Sequence, residues 1–197
     1  KSHVPIARTP IVGRDREIES IRLLLEKPDV PLITLIGPGG VGKTRLVTEI
    51  ANKNLARFRD GVVFVDLSEV DDPGLLGAAI LQGAGIVPNH GEPTEETVRR
   101  SFADKKLLLI LDNFNVLPKD EPFLKELMKN DMQLLITSRC RLKNYDSIEI
   151  KELDKEKELT ELFYKHCPSA KRDPDSVSAI IEEVNCHTLT VCMAALT

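Results

Sequence analysis

The chain has 197 residues, of which 42% are hydrophobic and 29% charged, and its formal net charge is −4. This composition is ordinary for a globular protein, and the length suits one domain with a smaller one attached. No apolar run approaches the roughly 20 residues of a membrane span. The acidic balance is not typical of a dedicated nucleic-acid surface, which carries an excess of Lys and Arg. We therefore expect a cytoplasmic protein whose residues in this chain directly contact neither a membrane nor nucleic acid.

Four short apolar runs and a weaker fifth one alternate with amphipathic stretches along the first 150 residues. The runs predict β-strands at 32–36, 62–66, 107–111, 133–137 and 147–150. The amphipathic stretches predict a first helix carrying Ile18, Ile21 and Leu25, a second carrying Leu46, Val47, Ile50 and Ala51, and helices near 73–83, 93–104 and 120–129. Continuous apolar strands between helices favour a parallel sheet covered on both faces, so we predict a doubly wound α/β domain with five parallel strands.

The pattern changes after residue 150, where the predicted strands stop. Asp154 and Asp173 are candidate N-caps for two amphipathic helices, and Pro174 falls in the first turn of the second. A last apolar stretch runs from about residue 188 to the end without a C-terminal glycine, so we expect a piece cut from a longer protein. The expected division is an N-terminal segment at 1–30, a sheet domain at 31–150 and a small all-α helical domain at 151–197.

The four cysteines, at positions 140, 167, 186 and 192, show none of the closely spaced pairs that usually ligate structural zinc. The simplest interpretation is free thiols in a reducing compartment. An alternative that stays open is a zinc site built from His166-Cys167 and Cys186-His187.

Residues 37–44, which we name the phosphate loop, match the pattern G-x-x-x-x-G-K-T between a predicted strand and a predicted helix. The glycines let backbone N–H groups turn inward around phosphate oxygens, and the following helix directs its positive N-terminus at the same anion. Lys43 would reach the β- and γ-phosphates, and the Thr44 hydroxyl would bind Mg²⁺. The alternative is a glycine-rich turn without a ligand. The candidate nucleotide-binding residues of this stretch are Gly37, Pro38, Gly39, Gly40, Val41, Gly42, Lys43, Thr44 and Arg45.

Two other strand ends carry side chains suited to phosphate chemistry. Asp112 follows the third predicted strand, where it would hold Mg²⁺ with Thr44 or, alternatively, only cap a turn. Asn113 comes next, where many ATPases carry an acid that activates water, and an amide cannot take up a proton. Arg139 closes the fourth strand and could reach a γ-phosphate, because parallel strands end at one edge of the sheet; the alternative is a surface arginine in a basic stretch. The candidate catalytic residues are Lys43, Asp112, Asn113 and Arg139.

Together these residues resemble the NB-ARC-type signal-transduction ATPases of the STAND class of P-loop NTPases, particularly their bacterial regulators. The stretches 107–114 and 135–139 look like the family's Walker B and sensor strands. The family's h-h-G-R-E motif, whose backbone lies against adenine in relatives, is matched by Ile11, Val12, Gly13 and Arg14. From the residues alone, Ile11 and Val12 can also serve to pack the first helix onto the sheet.

The resemblance extends to residues 186–190, which read Cys-His-Thr-Leu-Thr where the family has G-L-P-L-A. Thr188 replaces the proline that packs on adenine in relatives, and Cys186 replaces the glycine. Leu189 remains as an apolar group for the base, so we keep it as a candidate nucleotide contact.

The resemblance implies an ATP/ADP-binding molecular switch with Mg²⁺, and Asn113 implies that hydrolysis is slow. The implied partners are adenine nucleotide, a downstream winged-helix domain and an effector or sensor domain of the same chain, and other copies in nucleotide-dependent self-association. One alternative is a mechanical ATPase of the wider AAA+ group, against which Asn113 counts. The other is a DNA-binding regulator with incidental nucleotide binding, against which the acidic charge counts.

Overall fold

The computed structural model describes residues 4–6, 9–88, 90–114, 121–129, 131–142 and 145–196. Its centre is a parallel sheet of five strands in the order β2-β3-β4-β1-β5. The strands are β1 (Leu32–Ile36), β2 (Val62–Asp66), β3 (Leu108–Asp112), β4 (Gln133–Ser138) and β5 (Asp146–Glu149). The predicted five-stranded parallel sheet is confirmed, and each strand begins and ends within one residue of its predicted bounds.

Helices cover both faces of this sheet, as the apolar strands predict. Five of them precede or alternate with the strands: α1 (Asp15–Leu25), α2 (Lys43–Asn54), α3 (Leu76–Ala84, entered through a 3-10 turn at Pro73–Leu75), α4 (Thr94–Phe102) and α5 (Glu121–Leu127). The α1 and α2 helices pack on one face, and α3, α4 and α5 pack on the other. Residue 120, the predicted start of α5, lies outside the described residues.

Successive side chains of a strand point to opposite faces of the sheet, and this alternation produces two apolar cores. Leu108 and Ile110 of β3 join the cluster under α1 and α2, whereas Leu109 and Leu111 join the cluster under α3, α4 and α5. All four side chains are fully buried. Because both faces are covered, β3 is apolar throughout until Asp112 ends it, and that carboxylate is therefore delivered to the carboxyl edge of the sheet.

Residues 151–196, which we name the helical segment, contain no strand within the described chain and have an apolar cluster of their own. Their elements are a π-helical turn at Lys155–Leu159, α6 (Thr160–His166), a 3-10 turn at Pro168–Arg172, α7 (Pro174–Glu183) and α8 (Thr188–Ala194). Both predicted caps are confirmed: Asp154 accepts from the Lys157 N–H at 3.0 Å and Asp173 from the Ser176 N–H at 3.2 Å.

Other features bear on the remaining expectations. None of the helices that the structure describes is long and apolar enough to cross a membrane. The four cysteines form no disulfide. Within the described ranges, no three or more His, Cys, Asp or Glu side chains are grouped to hold a metal ion, so the paired His and Cys residues at 166–167 and 186–187 make no zinc site there.

Candidate functional site

The phosphate loop connects β1 to α2 at the edge where β1, β3 and β4 end. The Gly37 N–H donates to the Ser138 carbonyl at 3.3 Å, which extends the pairing of β1 with β4 into the loop. Gly40 and Gly42 have φ angles of +77° and +97°, a left-handed backbone that glycine adopts without strain. A Cβ built on Gly42 meets no atom within 4 Å, so this part of the loop faces open space.

The Lys43 side chain folds back over the first residues of the phosphate loop. Its ammonium donates to the carbonyl oxygens of Gly37 and Pro38, both at 2.8 Å, and the residue is 9% exposed. Burial lowers the pKa of Lys43, the nearby Arg139 guanidinium lowers it further, and Asp112 opposes both. The lysine is thus a desolvated cation held beside the loop amides, which suits a phosphate ligand.

Asp112 is fully buried and held by hydroxyl groups. The Thr137 hydroxyl donates to its Oδ1 atom at 2.5 Å, and the Thr44 hydroxyl is a second hydrogen-bond partner. Burial raises the pKa of Asp112, and these two hydroxyl groups oppose the rise. The structure therefore brings together the carboxylate and the hydroxyl that the sequence predicts for Mg²⁺, an ion that prefers a few oxygen ligands plus substrate phosphates and water.

Asn113 follows directly in a left-handed conformation, with φ +60°. Its N–H donates to the Thr137 hydroxyl at 2.8 Å. Its side-chain Nδ2 atom donates to Asp66 Oδ1 at 3.1 Å and to Asp112 Oδ2 at 3.3 Å. Asp66 ends β2 in register with Asp112, and our sequence reasoning missed it. An acid closing the apolar run of β2 was the available signal, the same one that identified Asp112.

Arg139 is the first residue after β4. It borders the cleft in front of the phosphate loop, and its Nη2 atom lies 3.7 Å from a Cβ built on Gly39. The structure therefore brings Arg139 and Lys43 to the same cleft.

The motif at residues 11–14 does not line the cleft in front of the phosphate loop. Val12 is buried and Ile11 packs beside it in the core under α1 and α2. Gly13 and Arg14 line a different cleft, next to the acidic side chains of the helical segment. The buried Arg14 guanidinium donates to the Val41 carbonyl at 2.9 Å, so it supports the phosphate loop from behind.

Among the described N-terminal residues, Pro5, Ile6 and Thr9 border the phosphate-loop cleft. Arg45 of α2 contacts one of these N-terminal residues, because its guanidinium donates to the Thr9 carbonyl at 2.5 Å. Leu189 of α8 lines the cleft with them and is 51% exposed. The cleft thus has a polar end at the phosphate loop and apolar groups around it, in a volume of about 640 Å³, the size range of small-molecule sites.

The helical segment reaches the phosphate loop through His187. Its Nε2 atom lies 3.0 Å from the Gly39 carbonyl oxygen, and its Nδ1 atom lies 2.9 Å from the Thr190 hydroxyl. His187 precedes α8, and Glu152 holds the start of that helix by accepting from the Thr188 N–H at 3.0 Å and from the Thr188 hydroxyl at 2.5 Å. Sequence reasoning did not find this contact of His187, because only the tertiary packing brings residues 39 and 187 together.

A second contact is made by Ile150, the residue just before the helical segment. The Ile150 N–H donates to the Ile36 carbonyl at 2.6 Å, which continues the pairing of β5 with β1. The Ile150 carbonyl oxygen then lies 2.4 Å from a Cβ built on Gly37, so only glycine fits there.

Comparison with known proteins finds a matching family and several similar proteins. Residues 10–137 match the model of a family described as the AAA ATPase domain. A Mycobacterium tuberculosis protein named as a candidate HTH-type transcriptional regulator is 39% identical over 82 residues, which are 42% of this chain and 9% of that protein. Regulatory protein AfsR of Streptomyces coelicolor is 28% identical over 128 residues, 61% of this chain and 13% of that protein. The chain therefore spans only a small part of these relatives.

Solved structures share the fold at low sequence identity. Cdc6p from Pyrobaculum aerophilum has a TM-score of 0.66 at 17% identity, over 98% of this chain and 61% of that one. A STAND protein with a tetratricopeptide repeat sensor from Pyrococcus horikoshii has a TM-score of 0.54 at 19% identity, over 96% of this chain and 30% of that one. The phosphate loop, Asp112 and Thr137 all lie inside the family match, which covers well over half of the sequence, and the chain belongs to the AAA ATPase domain family.

Proposed function

We propose that this chain is the ATP/ADP-binding switch module of a larger signalling or transcription-regulatory protein, of the NB-ARC type within the STAND class. The carrying observation is the meeting of Lys43, Thr44, Asp112 and Arg139 at one phosphate loop. Three of these groups fit a magnesium triphosphate, and Arg139 would contact the last phosphate.

The adenine end of the nucleotide would lie among the apolar groups around the cleft. Pro5, Ile6 and Thr9 border it on one side and Leu189 of α8 on the other. A ligand held between these elements contacts both the sheet domain and the helical segment. Such a ligand can shift an equilibrium between two arrangements of those parts, provided that it binds one arrangement better.

Slow hydrolysis is part of the proposal, because the residue after Asp112 is an amide. Asn113 cannot act as a general base, and such a base typically contributes about 10²- to 10⁴-fold to a rate. A switch needs each nucleotide state to last long enough to be read, so slow turnover suits the role.

The proposed partners follow from the resemblance and the relatives. A winged-helix domain and an effector or sensor domain would follow in the intact cytoplasmic protein, and ATP would favour self-association. Two relatives carry names that describe transcriptional or other regulators, and the Aeropyrum pernix ORC2 structure, which shares the fold at a TM-score of 0.67, contains ADPNP and ADP. These names support a regulatory protein with adenine nucleotide in this module.

Calorimetry with ATP, ADP and GTP in the presence of Mg²⁺ tests the proposal directly. Lys43→Ala should weaken ATP binding by about tenfold to a hundredfold, since a charge-assisted hydrogen bond is worth about 1.5–3 kcal/mol. Lys53→Ala is the matched control, because Lys53 lies on the same helix but is half-exposed and paired with Glu49. Equal ATP affinity of the Lys43→Ala variant and the wild type would contradict the assignment.

Turnover and DNA retention on the same sample separate the alternatives. A steady-state rate well above about one per second, near the enzyme median, would favour a mechanical ATPase over a switch. Retention of DNA by this chain alone, with no effect of nucleotide, would favour a DNA-binding regulator.

A further inference from the structure

At the ends of β2 and β3, the carboxylates of Asp66 and Asp112 both accept hydrogen bonds from the Asn113 side-chain amide. Asp66 and Asp112 are paired in the register of the two strands. The Nδ2 atom of Asn113 lies 3.1 Å from Asp66 Oδ1 and 3.3 Å from Asp112 Oδ2. The amide after the magnesium-binding strand therefore has a carboxylate beside it, supplied by the neighbouring strand.

This arrangement decides which way the Asn113 carboxamide faces. An ionised carboxylate can only accept hydrogen bonds, so the NH₂ group of Asn113 must face Asp66 and Asp112. Its oxygen is then turned away from both. The main chain is held as well, because the Asn113 N–H donates to the Thr137 hydroxyl at 2.8 Å. Asn113 lines the phosphate-loop cleft, and the fixed amide is therefore part of the wall of that cleft.

Asp66 is suited to hold this orientation at neutral pH. Partial burial raises the pKa of Asp66, but hydrogen bonds from the Ser68 N–H and the Asn113 amide outweigh it and leave that pKa lowered. The carboxylate thus stays ionised, and it accepts from the Ser68 N–H at 2.9 Å. That local bond fixes the Asp66 side chain in turn.

We propose that Asp66 is a positioning residue for ATP hydrolysis: it orients Asn113 so that the amide oxygen accepts a hydrogen bond from the attacking water. This inference rests on the proposed ATP binding. In the step, the water oxygen bonds to the terminal phosphorus and the bond from that phosphorus to the bridging oxygen of ADP breaks. The water proton passes to an oxygen of the released phosphate. Positioning is the main protein contribution to such a loose transfer.

The proposal changes what an acid at position 113 should do. A carboxylate there would face Asp66 and Asp112 at the distances where the NH₂ group now lies, and neighbouring like charges oppose ionisation. Asn113→Asp alone should therefore gain little. Exchanging the two residues, as Asp66→Asn with Asn113→Asp, restores an amide donor between these two positions and leaves Asp112 as the one like charge facing the acid at the cleft wall.

The experiment measures single-turnover ATP hydrolysis and, separately, ATP affinity by calorimetry for the wild type, Asp66→Asn, Asn113→Asp and the exchanged pair. Asp66→Asn should hydrolyse ATP about tenfold to a hundredfold more slowly, with its affinity for ATP unchanged within about twofold, because misplacement of a reacting group costs rates of this size. The exchanged pair should hydrolyse ATP at least about tenfold faster than either single variant. Asp72→Asn is the matched control, because Asp72 is exposed and accepts from the N–H two residues on at 2.9 Å, as Asp66 does.

Several results would overturn the proposal. One is hydrolysis by Asp66→Asn at the wild-type rate, and another is an exchanged pair no faster than Asn113→Asp alone. A fall in ATP affinity matching the fall in rate would make Asp66 a structural residue. Normal ATP binding with no hydrolysis in any of the proteins would also refute it while leaving the proposed nucleotide site intact. Failure of the wild type to bind ATP would instead refute the proposed function, and the inference with it.

Discussion

The Nε2 atom of His187 lies 3.0 Å from the Gly39 carbonyl oxygen, so an imidazole of the helical segment rests on the phosphate loop. Because a carbonyl oxygen only accepts, Nε2 carries the proton and donates. The fit is close: a Cβ built on Gly40 would lie 2.5 Å from the His187 Cε1 atom. The loop therefore touches α8 through bare backbone, and a side chain on Gly40 would force them apart.

Replacing this histidine should loosen the helical segment. In His187→Ala we expect amide hydrogens of α8 to exchange about threefold to tenfold faster, since a neutral hydrogen bond contributes about 0.5–1.5 kcal/mol. Hydrogen exchange followed by mass spectrometry measures this effect. His166→Ala, at the end of α6, is the control in the same segment. Unchanged exchange in α8 would show that the His187 contact does not help to hold the helix.

Arg139 should distinguish ATP from ADP. If its guanidinium contacts the terminal phosphate, Arg139→Ala weakens ATP binding by about tenfold or more and leaves ADP binding nearly unchanged. Calorimetry with both nucleotides gives the ratio. Arg141→Ala, an exposed arginine two residues on, is the control. Equal weakening of ATP and ADP would make Arg139 a general anion contact.

The buried carboxylate of Asp112 should make stability depend on pH. Burial raises the pKa of Asp112 above its value in the unfolded chain, so the wild type loses stability as pH rises from about 4, the ordinary aspartate range, through the raised value. Asp112→Asn lacks this loss. We expect its melting temperature, relative to the wild type, to increase between pH 4 and pH 8. A difference independent of pH would contradict the raised pKa.

Arg14 should matter for stability although it lies behind the loop. It is 5% exposed and donates to the Val41 carbonyl and to Glu17, both at 2.9 Å. Arg14→Ala leaves a buried carbonyl without this donor, a loss of about 1–3 kcal/mol in the free energy of unfolding. Urea denaturation measures it, with the exposed Arg16→Ala as control. A loss below about 0.5 kcal/mol would mean that the loop holds its shape without Arg14.

The sheet and the candidate site at its carboxyl edge could be predicted because their sequence signals are local. Apolar runs located the first four strands, a weaker stretch located the fifth, and Asp112 and Arg139 stand where the third and fourth runs end. Asp66 carries the same signal but was passed over, since its relevance depends on β2 lying next to β3. That neighbourhood is set by the strand order, which no single segment contains.

The helical segment shows which features could not be predicted from local sequence. Its caps at Asp154 and Asp173 are local and were predicted. The π-helical turn was not, because it depends on the Leu159 N–H reaching the Asp154 carbonyl at 2.9 Å. The position of residues 11–14 behind the loop, with Pro5 and Thr9 at the cleft, likewise depends on packing that residue patterns do not encode.

The carbonyl of Ile150 pressed against Gly37 has a mechanical consequence. Ile150 is the last residue tied to the sheet before the helical segment begins, and Gly37 is the first residue of the phosphate loop. No side chain separates that carbonyl from the Gly37 backbone, so a displacement of Ile150 would act directly on the first residue of the phosphate loop. The packing of Ile150 on Gly37 therefore links the point where the chain leaves the sheet to the shape of the phosphate loop.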